Sequence, residues 1–116
     1  MESGLISDSQ ISASSKHDAN HAAIQGRLNF QETSSKAGAW AAATNNVSQW
    51  LQVDLGKQLT KVTRVATQGR NYSSQWHGNH SQWVTKYKLQ YSDDGANFHY
   101  YREQGQNTAK VIILFL

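Results

Sequence analysis

Apolar and polar residues alternate most clearly in Ser48–Gly56, SQWLQVDLG, where Gln52 and Asp54 separate Leu51, Val53 and Leu55. Period two predicts a strand with one face in a core and one nearer water. Gly56 and Lys57 break the pattern as a turn, and the Val- and Thr-rich Lys61–Thr67 predicts a second strand. After Gly69 the polar, aromatic stretch RNYSSQWHGNHSQW reads as a loop. Upstream, Ile6–Ser15 alternates weakly, as an edge strand does, and Lys16–Gly26 reads as a polar loop. The alanines of Asp18–Ile24 add some helical character, but the segment is too short for a stable helix. Arg27–Trp40 predicts a second polar loop whose Trp enters the core.

Val84–Glu103 predicts a hairpin. Tyr87, Leu89 and Tyr91 line one face, Asp94-Gly95 supplies the turn, and Phe98, Tyr100 and Arg102 alternate on the return. Lys110–Leu116, KVIILFL, is a continuous apolar run that suits only a buried strand and is an aggregating segment if it stays unpaired.

Short strands and polar loops predict an all-β class. With 116 residues the chain has room for one small domain, which buries about two thirds of the surface its unfolded form exposes. Net charge is +3, but the cations are scattered singly from Lys16 to Lys110, so they favour anionic partners weakly and predict no nucleic-acid partner. Cysteine is absent, which leans towards a reducing compartment or towards disulfides outside this chain. No segment has the form of a signal peptide or approaches the ~20 apolar residues that span a bilayer. Sequons at Asn46, Asn71 and Asn79 would accept glycans on a secretory route. Catalysis finds no support, because there is no cysteine nucleophile, no G-x-S-x-G, no phosphate loop and no HExxH.

In order, the segments MESGLISDSQISASS, GRLN, GAWAA, NNVSQWLQVDLG, KVTRVATQGR and WVTKYKLQYSDDGANF resemble a coagulation factor V/VIII type C domain, the discoidin family. The resemblance runs from the first residue to about Glu103. It implies a galactose-binding-like jelly-roll β-sandwich whose loops project from one end as ligand-binding spikes, with no cofactor. It also implies an extracellular or cell-surface location within a larger secreted or membrane-anchored protein. Family members usually carry a terminal cysteine pair, which is missing here, and continue for several strands beyond the YSDDG hairpin. The expectation is therefore a domain at 1–109 lacking its last strands, followed by an atypical apolar tail at 110–116.

Trp40, Trp50 and Trp83 stand where the family motif has Trp and are expected in the core. Trp76 lies mid-loop, placed either to stack on a sugar or enter a membrane, or to fold back as a lid. His77 and His80 have a spacing that two metal ligands can use but no acidic or thiol partner nearby, so no metal is expected and donation to sugar hydroxyls is the better reading. Asp18, Asn20 and His21 occupy the first spike, where membrane-inserting relatives carry large apolar side chains; only Ile24 is of that kind here. Arg70, at the mouth of the third spike with Tyr72 beyond it, resembles the arginine of galactose-binding relatives. Asp93-Asp94-Gly95 lacks the rest of a calcium-loop ligand set and reads as a hairpin turn. Asp54 reads as a tether for a neighbouring loop. The expected partners are cell-surface or matrix glycans, with anionic phospholipid or an extracellular protein such as collagen or a receptor as the alternative for the same loops.

Overall fold

The computed structural model describes residues 3–58, 60–70 and 82–107, and the backbone of 111–113. The chain divides into two compact units, Met1–Gln82 and Trp83–Leu116. Among the described residues the regular structure is short strands, as the polar–apolar pattern predicts, together with 3-10 turns.

In the first unit, β1 (Ile11–Ala13) pairs antiparallel with β2 (Leu51–Val53), Ile11 opposite Val53 and Ala13 opposite Leu51. Backbone bonds continue the ladder at both ends, from Asp54 N to Gln10 O (2.8 Å) and from Ser14 N to Trp50 O (3.0 Å). This register places Ile11, Ala13, Leu51 and Val53 on one face. Ile11 is buried there, and the 3-10 turn Ala23–Gly26 packs against β1. A Cβ on Gly26 would stand 3.1 Å from Leu51 Cδ2 and 3.5 Å from Trp40 Cβ, so the missing side chain lets the turn approach the sheet closely. Trp40 is half-buried and its Nε1 donates to Ser15 O (2.9 Å), which satisfies the one polar atom of the indole. Arg27 fastens the N-terminal segment, donating from Nη2 to Asp8 Oδ1 and to Ile6 O, both at 2.7 Å. Asp54 Oδ1 accepts from Gly56 N (2.8 Å), while its carbonyl accepts from Gln10 Nε2 (2.7 Å).

In the second unit, β3 (Lys86–Lys88) pairs antiparallel with β6 (Val111–Ile113), and β4 (Gln90–Tyr91) with β5 (His99–Tyr100). The apolar tail thus supplies a strand, Tyr87 lying opposite Ile112. The expected hairpin forms around Asp94, whose Oδ1 accepts from Ala96 N and Asn97 N (2.8 Å each) and whose Oδ2 accepts from Asn97 Nδ2. Gly95 has φ 71°, a conformation that side chains with a Cβ rarely adopt.

Three expectations fail. The apolar face of β2 is not buried in a core, Leu51 and Leu55 being 37% and 43% exposed. Residues 61–70 form no strand among the described residues. Val62 and Val65 are three apart, which does not give a strand one apolar face, and both are exposed; β-propensity expresses itself only where a partner and a packed face exist. Trp50 and Trp83 are not in the core, at 48% and 43% exposure. Trp50 directly precedes Leu51, so the pleat sends it to the opposite face.

Candidate ligand-binding site

Two clusters of planar polar groups form in the first unit, joined by the segment 30–38. The first lies on the 3-10 turn Ala19–His21, which Asp18 caps: its Oδ1 accepts from Asn20 N (2.8 Å), satisfying an amide that the turn itself leaves open. The same oxygen accepts from His21 Nδ1 (2.7 Å), and the His17 ring meets the His21 ring edge-on at 5.5 Å. His21 is buried while the Asp18 carboxylate is 45% exposed. These contacts hold Asp18 below the usual carboxylate range, the His21 hydrogen bond being the largest cause. Desolvation opposes it, and the Asn20 amide and the charges of His21 and His17 add to it.

Beneath this turn Gln25 is fully buried and donates from Nε2 to Asn20 O, leaving its Oε1 without a partner. Ala37 N also donates to Asn20 O (2.9 Å), and His17 N to Ala41 O (2.8 Å). The loop at 15–21 is therefore zipped to 37–43.

The second cluster is Arg70, Glu32 and Gln82. The Arg70 side chain is 5% exposed, its Nη1 donating to Gln82 Oε1 (3.1 Å) and its backbone N to Gln82 O (2.8 Å). Nη2 stands 3.9 Å from Glu32 Oε2, an ion-pair distance too long for a hydrogen bond. Nε and Nη2 are buried with no hydrogen-bond partner. Glu32 opens a tight turn closed by the Thr33–Lys36 bridge, and its Oε2 lies 3.7 Å from where a Cβ of Gly38 would be. Thus Arg70 reaches the wall whose next residue, Ala37, bonds Asn20. Buried donors of this kind cost stability unless something accepts from them.

The family model of the F5/8 type C domain matches residues 10–115. The chain belongs to the F5/8 type C domain family. With the family comes the jelly-roll fold expected from the sequence, on an all-β chain. The domain is similar to lactadherin of Rattus norvegicus, 40% identical over 115 residues, and of Mus musculus, 38% over 111 residues, covering 96% and 92% of this chain. Lactadherin of Sus scrofa is 44% identical over 77 residues, 66% of this chain. The chain spans about a quarter or less of the length of these relatives, 25%, 22% and 17% respectively.

Of the expected site residues of this F5/8 type C domain, Asp18, Asn20 and His21 share one turn, and Arg70 lies in the second cluster. Tyr72, Trp76, His77 and His80, with the sequons at Asn71 and Asn79, lie outside the described residues. Asn46 is exposed, its Oδ1 accepting from Ser48 N and Gln49 Nε2 (2.9 Å each). Sequence reasoning missed Glu32, Gln25 and Gln82. Glu32 carried a signal, being the one carboxylate between Asp18 and Asp54; the two glutamines carried none in a chain rich in them. No cluster of metal-binding side chains occurs among the described residues.

Proposed function

We propose that this domain is a non-catalytic extracellular recognition and adhesion module that binds glycans through its loops. The observation that carries the reading is Arg70, buried with Nε and Nη2 unpartnered beside the Glu32 carboxylate. A guanidinium fork next to a carboxylate offers donors and an acceptor in fixed planes, which suits neighbouring sugar hydroxyls that both give and accept hydrogen bonds. Asp18 and Asn20 add a second acceptor and a carboxamide across the 30–38 segment, while His21, buried under Asp18, orients that carboxylate. Trp76 adds the stacking surface and Tyr72, His77 and His80 the remaining polar contacts. The domain serves as part of a larger secreted or cell-surface protein, and Asn46, Asn71 and Asn79 are its own glycan acceptors.

The test is a glycan array run beside liposomes with and without phosphatidylserine. Binding to a defined set of glycans, weakened by Arg70→Lys because an ammonium cannot present the fork, supports the reading. A blank array with sedimentation on anionic liposomes assigns the loops to phospholipid. A blank array with capture of an extracellular protein assigns them to that partner.

A further inference from the structure

Cations that are scattered along the sequence gather on one side of the second unit. In the β4–β5 hairpin Gln90 lies opposite Tyr100, and the bond from Tyr101 N to Leu89 O (2.8 Å) carries the same register one step further. Continued, this register sets Lys88 opposite Arg102, so Lys86, Lys88 and Gln90 share a face with Phe98, Tyr100 and Arg102. Lys88 Nζ sits 5.4 Å over the centre of the Tyr100 ring, as this arrangement requires. The Tyr91 and His99 rings meet on the other face, at 5.9 Å. All six residues of the cationic face are exposed. Among the described residues it holds no acid: Glu103 belongs to the opposite parity, Asp93 lies in the turn at the hairpin's end, and Asp94 is engaged in the bonds of that turn. Three cations and two aromatic rings therefore line a flat strand surface, Lys86 and Lys88 spaced by about 7 Å and Lys88 and Arg102 by about 5 Å along and across the strands.

We propose that this face of β3, β4 and β5, through Lys86, Lys88, Tyr100 and Arg102, binds a linear sulfated polysaccharide. Such a chain carries regularly spaced anions for the three cations and presents sugar C–H faces to Tyr100 and Phe98. A strand surface is flat and does not penetrate a bilayer, which sets the polysaccharide above an anionic membrane. The surface lies in a different unit from Asp18 and Arg70 and stands independently of the loop reading.

The experiment compares the full chain with two triple variants on immobilised heparin. K86Q/K88Q/R102Q is expected to lose about tenfold in affinity, as three exposed charge contacts predict, and to elute at markedly lower salt. K16Q/K36Q/K57Q removes the same charge from the first unit and is expected to elute with the unaltered chain. Lys88→Arg should retain binding, and chemically desulfated heparin should not compete. All substitutions are at exposed positions, and matching melting curves confirm that each variant is folded. Equal losses in the two triple variants would reduce the effect to net charge and overturn the proposal. So would co-elution of K86Q/K88Q/R102Q with the unaltered chain, or retention by phosphatidylserine vesicles but not by heparin.

Discussion

His21 Nδ1 donates to Asp18 Oδ1 at 2.7 Å, and that same oxygen caps the 3-10 turn through Asn20 N. One carboxylate thus both starts the turn and fixes the imidazole beneath it. Its pKa is lowered from 3.8 in the fold, so the unfolded chain takes up a proton more readily than the folded one. The stabilisation is fully present above pH 3.8 and is lost as pH falls through the lower folded value. Asp94 behaves in the same sense, held low first by the amides of Asn97 and Ala96. We expect the melting temperature to decline below about pH 4. Asp18→Asn and Asp94→Asn should each flatten part of that decline in thermal melts from pH 2 to 6. An unchanged profile in both would show that neither contact stabilises the fold.

Gly26 meets Leu51 Cδ2 at the tip of a flexible side chain that is itself partly exposed. Gly26→Ala therefore asks for a few tenths of an ångström, and the loss of unfolded-chain freedom offsets it, so stability should change by less than about 1 kcal/mol. Gly26→Leu has no such room and should cost about 1–3 kcal/mol. Urea titration of both variants checks the contrast; equal costs would mean that the turn does not rest on β2.

Arg70 gives a different kind of expectation, because burying nitrogens that lack hydrogen-bond partners costs stability. Replacing the buried pair by Arg70→Met with Glu32→Gln should leave stability unchanged or raise it by about 1–2 kcal/mol, while glycan binding is lost. A fall of more than about 1 kcal/mol on melting would instead make the pair structural.

The features legible in the sequence are the local ones. The strand at Leu51–Val53 and the Asp94-Gly95 turn need no knowledge of distant residues, and both form where expected, whereas the burial of the Leu51 face, which depends on what packs against it, does not follow. The features that failed depend on partners far along the chain. Lys61–Thr67 has strand-forming residues but no described strand to pair with, and Trp50 follows the pleat rather than its motif position. In the site, the Asp18–His21 relationship sits within one turn and could be placed in a single loop from sequence. The Arg70–Glu32 approach spans the loops between them, and its burial comes from packing that no local pattern encodes.

The last expectation concerns the chain in isolation. Among the described residues Ile11 and Ala37 are the buried hydrophobic side chains, while Trp50, Leu55, Val62, Val65, Trp83 and Tyr91 are exposed. Each described sheet has two strands, and their outer edges have no further strand partner among the described residues, a feature that recruits other chains. We therefore expect the isolated chain to sediment as oligomers at tens of micromolar, a range in which partly exposed chains associate. The pairing of β6 with β3 sets the direction of a further change: deleting 110–116 removes the strand that covers the β3 edge and should increase association, although KVIILFL by composition is itself an aggregating segment. Sedimentation velocity on both chains decides the matter. A monomer that melts cooperatively would refute the first expectation, and a deletion variant that becomes more monomeric would show that the tail recruits other chains rather than closing its own sheet.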